Sequence, residues 1–139
     1  MHNPTKKQWA TVIENFYRVY PLTLEYGEGH LDMEEPYVNN GLFMKRKCGT
    51  VHCVAGWYAI ATLDYENKPL DFVHGANSMA LDLGFNTKFQ LETWASQNRK
   101  VWGNSCGVDI FYDPAAWGNA KSIEDIIHYL EGVHDRTPE

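Results

Sequence analysis

The chain has 139 residues and a formal net charge of −6, with 44% hydrophobic and 22% charged residues. This length predicts a single domain over residues 1–139, and an acidic chain without a long basic run is not expected to bind nucleic acid phosphates. The absence of any run of about 18 apolar residues excludes a membrane-spanning helix, and an N-terminus without the apolar core of a signal peptide predicts a cytoplasmic protein.

The first predicted element is an amphipathic helix. Asn3 and Pro4 suit the N-cap and the first helical position. Apolar residues then recur at helical spacing as far as Tyr20, and Pro21 is expected to end the helix.

Residues 21–49 are predicted to form a long irregular segment, because Gly27, Gly29, Pro36 and Gly41 interrupt any regular element. A loop of this length is either a functional surface or an insertion that covers the core. Both interpretations remain open. The functional one makes the acidic loop over 22–40 a candidate contact for a protein partner.

A central buried helix is predicted over residues 50–63. After Thr50, a plausible N-cap, His52 is the only strongly polar residue before Thr62. Many of the intervening side chains are small, which lets neighbouring backbones approach closely. We therefore predict a mainly α fold, with four to five helices packed around this central helix.

The later helices carry clear local signals. A third helix is predicted from 71 to 83, with Gly84 as its stop, and a fourth is capped by Asn86 or Thr87. Residues 98–118 are expected to be irregular, although 108–112 has a strand-like composition.

The last helix is predicted to begin after Ser122. Asp125 stands three residues later, in the position of the acidic member of a capping box. Gly132 is expected to stop the helix, and residues 134–139 should form a frayed tail.

Residues 48–57 read CGTVHCVAGW, which resembles the CGTxxCxAGW signature of a family of small bacterial and phage-borne helical proteins. The segments 80–85 and 120–130 are similar to later pieces of the family pattern, A-x-x-L-G-L and A-x-x-x-I-x-x-x-I. The likeness spans roughly residues 48–132. It implies a small, mainly α-helical fold and a mobile-element origin. Because the family has no established function, the resemblance implies no activity.

Cys48 is the candidate for chemistry. It directly precedes the predicted central helix, where backbone N–H groups and the helix dipole favour a thiolate, and the basic run 45–47 lies beside it. His52, four residues on, is the candidate base. The alternative is that Cys48 is a structural thiol.

A metal site is not expected. Cys48 and Cys53 are five residues apart, so on a regular helix their side chains point about 140° away from each other. Structural zinc sites also need a second ligand pair, and His30, His52, His74 and Cys106 show no paired spacing. No cofactor is expected either.

Aromatic residues crowd the region 94–117. They could form a binding surface, or a lid that covers the central helix. The candidate binding residues of this region are Trp94, Trp102, Tyr112 and Trp117.

The sequence favours a small intracellular protein-interaction module without catalysis. Its expected partner is another protein, bound through the 22–40 loop or the 94–117 region. The alternative function is a cysteine-dependent enzyme with Cys48 as its nucleophile. The sequence predicts no oligomeric state.

Overall fold

The computed structural model describes residues 2–25, 31, 37–39, 42–44, 53–63, 72–103, 110–111 and 113–139. These residues form α-helices, one 3₁₀ helix and a short antiparallel ribbon. The elements are α1 (Lys6–Leu24), β1 (Tyr37–Asn39), β2 (Leu42–Met44), α2 (Val54–Leu63), α3 (Phe72–Asp82), α4 (Lys88–Gln97), α5 (Arg99–Trp102), the 3₁₀ helix (Pro114–Trp117) and α6 (Ile123–Arg136). The prediction of a mainly α fold is confirmed.

Helix α2 is the buried centre of the molecule. Val54, Ala55, Tyr58 and Ala59 have no exposed surface, and α2 packs against both α3 and α1. Within its described part the helix begins after Cys53, whose carbonyl accepts from Trp57 N at 2.9 Å. Thr50, the predicted cap, lies outside the described residues.

Helix α1 differs from the prediction at both ends. Thr5 is the N-cap, and it exchanges two hydrogen bonds with Gln8, at 3.2 and 2.9 Å. Asn3 does not cap the helix because its side-chain oxygen instead accepts from Trp94 Nε1 at 2.9 Å. Pro21 does not end the helix, which continues to Leu24. A proline removes one backbone hydrogen bond and its ring crowds the carbonyl four residues earlier, but Pro21 stands in the last turn, so little of α1 follows this disturbance.

Helices α3 and α4 begin and end close to the predicted positions. Gly84 adopts a positive φ of 89° after α3, as a C-terminal stop requires. Thr87 caps α4 by accepting from Gln90 N at 3.3 Å. The turn between these two helices is therefore fixed by local signals that the sequence displays.

Helix α6 begins as predicted but ends later. Ser122 Oγ accepts from Asp125 N at 3.1 Å, while the Asp125 carboxylate accepts from Lys121 N, one residue before the cap. The predicted end at Gly132 is wrong, because the helix continues to Arg136. Arg136 Nε donates to Val101 O at 2.9 Å, and this contact with α5 holds the last turn in place.

The predicted frayed tail is also corrected in part. Residues 134–136 are helical, and Thr137 is 5% exposed with its hydroxyl bonded to Val133 O at 2.8 Å. The burial of Thr137 explains why the helix persists beyond the glycine.

The predicted irregular segment over 21–49 falls mostly outside the described residues. Where it is described, residues 21–24 belong to α1, and β1 pairs with β2 in the register Tyr37 with Met44 and Asn39 with Leu42. In the strand-like stretch 108–112, only Ile110 and Phe111 are described, and they lie in a turn.

Candidate functional site

The two residues of the predicted cysteine-enzyme site, Cys48 and His52, lie outside the described residues. The described thiol at the N-terminus of α2 is Cys53, which has no exposed surface. Its sulfur accepts from Gly56 N at 3.4 Å. Cys53 is therefore a core residue, as the buried helix predicted over residues 50–63 implies, and it is inaccessible to a substrate.

The predicted aromatic binding residues lie in the core wherever they are described. Trp94 and Trp102 are each 1% exposed and Trp117 is 2% exposed, while Tyr112 is outside the described residues. The rings of Trp102 and Trp117 meet edge to face at 4.9 Å, whereas Trp94 packs against Trp9. Rings buried to this degree do not present a binding surface in this structure. The alternative interpretation, aromatic side chains that cover the core, fits their positions.

The indole N–H groups of these tryptophans are used internally. Trp102 Nε1 donates to Ala116 O at 3.0 Å, and Trp117 Nε1 donates to Ile110 O. Buried indoles usually find such a partner. These bonds fix the 3₁₀ helix and the turn before it against α5.

A polar cluster links the three central helices. Tyr58 of α2 donates to the Asp82 carboxylate of α3, and Asn15 Nδ2 of α1 donates to the Tyr58 oxygen at 3.0 Å. Burial raises the pKa of Tyr58, and the hydrogen bond to Asp82 raises it further. The cluster thus joins α1, α2 and α3 through side-chain hydrogen bonds.

The described surface contains an apolar cleft beside the turn between α3 and α4. We call it the Phe89 cleft. It has a volume of about 500 Å³, and its lining residues are His2, Gly84, Phe85, Asn86, Phe89, Gln90 and Thr93. Phe89 itself is 71% exposed. A large aromatic side chain thus stands in solvent next to a concave apolar surface.

His2 forms one wall of the Phe89 cleft and is held in two ways. Its Nε2 lies 2.7 Å from Leu83 O, and its ring meets Phe85 edge to face at 5.2 Å. Because a carbonyl oxygen only accepts, Nε2 carries the proton. This hydrogen bond and the ring contact hold the N-terminal segment on the cleft.

Gly84 makes this arrangement possible. A side chain at Gly84 would place its Cβ 2.4 Å from His2 Nε2, and the residue has a positive φ as well. Glycine is therefore required both by the turn and by the approach of His2.

The fourth helix carries four apolar residues with different exposure. Leu91, Trp94 and Ala95 are buried, but Phe89 precedes Leu91 by two residues, which turns it about 200° around the helix. Helical spacing therefore contained the signal that Phe89 points away from the core.

No helix in the described ranges is both long and apolar enough to cross a membrane. Likewise, the described His, Cys, Asp and Glu residues contain no group of three arranged to hold a metal ion.

Comparisons of the chain with protein-family models, with curated proteins and with solved structures found no match.

Proposed function

We propose that this protein is a non-catalytic protein-binding module, and that an apolar side chain of its partner enters the Phe89 cleft. The observation that carries this proposal is the 71% exposure of Phe89 beside a cleft of about 500 Å³. Exposed apolar patches next to a concavity often mark interaction sites, and aromatic residues are enriched among those that dominate binding energy.

The composition of the cleft favours an apolar occupant. Its lining combines the rings of Phe85 and Phe89 with the uncharged polar groups of Asn86, Gln90 and Thr93. No Asp, Glu, Lys or Arg of the described residues lines the cleft. Among these residues a charged ligand would find no ionic partner, whereas an aromatic or aliphatic side chain would lose its contact with water against the two rings.

The lining offers few groups that could react. Nε2 of His2 donates to Leu83 O, which leaves Nδ1 as the ring nitrogen with a lone pair. Thr93 is the sole hydroxyl among the described lining residues. A nucleophile would need a base within hydrogen-bond reach of it.

We also propose a cytoplasmic location, which stays a prediction from the sequence. A mobile-element origin remains a prediction from the resemblance. The cysteine-enzyme alternative also stays a prediction, since Cys48 and His52 lie outside the described residues.

The test compares two exposed apolar residues. A library of random peptides displayed on phage is selected against the wild-type protein, and the enriched peptides are titrated against Phe89→Ser and Leu81→Ser. Leu81 is 61% exposed on α3 but does not line the cleft, so it is the matched control. We expect peptides with an aromatic or aliphatic anchor that bind the wild type and Leu81→Ser equally. Phe89→Ser should weaken binding by roughly tenfold or more, as truncation of an anchor residue does.

Equal binding to both variants would contradict the proposal, as would a selection in which no peptide is enriched. Backbone NMR shifts supply a second measurement. They should move on α4 and around Phe85 when a selected peptide is added, and shifts confined to other helices would place the binding surface elsewhere.

A further inference from the structure

A second groove runs between α1 and α6, and it shares no lining residue with the Phe89 cleft. We call it the acidic groove. It has a volume of about 400 Å³, and its lining residues are Ala10, Ile13, Glu14, Tyr17, Glu131, His134 and Asp135. Ile13 packs against the core, and the Tyr17 ring is 52% exposed. The groove thus combines an apolar wall with carboxylates from both helices.

These carboxylates have no cationic lysine or arginine partner among the described residues. Glu131 contacts His128 Nδ1 at 3.3 Å, and Asp135 contacts His134 Nδ1 at 3.2 Å. The side chains of Glu131 and Asp135 are 45% and 80% exposed. Their negative charge is therefore available to a molecule that enters the groove.

The positions of these charges oppose the stability of α6. Glu131 and Asp135 are four residues apart on one helix face, where like charges repel. Asp135 also stands in the last turn, where the negative end of the helix dipole disfavours an anion. Neither the repulsion nor the dipole stabilises α6, and both negative charges remain able to attract a cationic partner.

The side chains of the acidic groove suit a guanidinium group better than a metal ion. No three acidic, cysteine or histidine side chains in the described part of the chain converge as a metal ion requires. A guanidinium group fits better, because it can hydrogen-bond to one carboxylate while its flat face lies on an aromatic ring. The aliphatic part of an arginine side chain can also cover apolar surface such as Ile13.

We propose that the acidic groove binds an arginine-bearing segment of a partner protein. The guanidinium group lies between Glu14 of α1 and the carboxylates of α6, against the Tyr17 ring. The proposal goes beyond the Phe89 cleft, since either surface could engage a partner without the other.

The probe for the test is a short, amidated, alanine-based peptide with arginines and leucines on one helical face. The control peptide carries uncharged citrulline in place of each arginine. Two variants of equal net charge are compared by calorimetry at low and at physiological salt. Glu131→Gln/Asp135→Asn changes the groove, whereas Glu25→Gln/Glu139→Gln changes exposed residues outside it.

We expect the groove variant to bind the arginine peptide roughly tenfold more weakly than the wild type, and the outside variant to bind within about twofold. Tyr17→Ala should also weaken binding, and salt should reduce the affinity of the wild type. The groove variant should unfold at the same urea concentration as the wild type or a higher one, because it removes a repulsive pair.

Equal losses in the two charge variants would overturn the proposal, because net charge alone would then explain the binding. Unchanged affinity of the groove variant, or equal binding of the citrulline peptide, would also overturn it. Since Phe89 is intact in every variant of this series, these outcomes leave the test of the Phe89 cleft unaffected.

Discussion

At the scale of single residues, the buried hydroxyl of Tyr58 depends on keeping its proton. Its hydroxyl lies between Asp82, to which it donates, and Asn15, from which it accepts. Burial and the hydrogen bond to Asp82 raise the pKa of Tyr58, while Asn15 and Arg18 act in the opposite direction with smaller effect. The folded protein therefore requires the neutral phenol.

This requirement predicts how stability depends on pH. A tyrosine in the unfolded chain loses its proton near pH 10.0, but folded Tyr58 keeps it to higher pH. The contribution of Tyr58 to the free energy of unfolding is complete below the pH at which an unfolded tyrosine ionises. Above that pH it declines by about 1.4 kcal/mol per pH unit. Urea titrations at a series of alkaline pH values should show this decline in the wild type and a shallower one in Tyr58→Phe.

Tyr20 is the internal reference for this experiment. The hydrogen bond with Glu124 raises its pKa too, but it is present in both proteins, so its effect cancels in the comparison. Parallel pH profiles for the wild type and Tyr58→Phe would show that Tyr58 is not the group whose ionisation destabilises the fold.

Residue roles that depend on near neighbours could be predicted from the sequence. Gly84, Thr87 and Ser122 act at helix ends as their local patterns indicate. Roles that depend on distant contacts could not be predicted in the same way. The Tyr58 cluster joins three helices, and Asn3 bonds to Trp94 across the fold rather than capping α1.

At the scale of elements, the backbones of α2 and α3 approach each other closely at Gly75. A Cβ atom added at Gly75 would lie 1.8 Å from Ala55 O and 2.7 Å from Ala55 C. Both are backbone atoms, so no side-chain rotation relieves the clash. The small residues of α2, from which its central position was predicted, thus pack against a glycine of α3.

Gly75→Ala should therefore force α2 and α3 apart and reduce the free energy of unfolding by about 3 kcal/mol or more, at the upper end for overpacked cores. Gly132→Ala is the matched control on α6. There the new Cβ would lie 3.1 Å from Arg136 Nη1, which makes neither of the hydrogen bonds to Val101 O and Trp102 O, so a small shift of this atom relieves the contact. That variant should be unchanged or more stable by up to about 1 kcal/mol, because alanine favours a helix.

Urea unfolding measures both variants. If Gly75→Ala were as stable as the wild type, α2 and α3 would not approach each other as closely as the structure places them.

Helix ends were predicted less well than helix positions, and the reason is physical. Pro21 and Gly132 are local stop signals, yet α1 and α6 both continue past them. In α6, Arg136 donates to Val101 O and Trp102 O from beyond the glycine. Tertiary hydrogen bonds of this kind outweigh the modest preference of one residue, and they cannot be read from neighbouring positions.

At the scale of the whole molecule, residues from every α-helix of the described chain contribute to one apolar core. Five tryptophans belong to it, and none is more than 2% exposed. The mainly helical class and the central position of α2 could be predicted from the sequence. The spacing of apolar residues indicates helices, and a run of small apolar side chains indicates a buried one. The two candidate binding surfaces could not, because each is formed by residues from separate segments that only the fold brings together.

A shared core predicts that the described helices unfold together. Tryptophan fluorescence reports on the core and far-ultraviolet circular dichroism reports on the helices, so their urea transitions should coincide, as in a two-state protein.

Two variants in different helices extend this test. Gly75→Ala acts between α2 and α3, whereas Ser122→Ala removes the cap of α6 and should reduce the free energy of unfolding by about 1 kcal/mol. Each should lower both midpoints by the same amount, although the two sites lie in different helices. A fluorescence transition that separated from the loss of helix, in the wild type or in either variant, would mean that parts of the chain fold independently, and the predicted single domain over residues 1–139 would then be wrong.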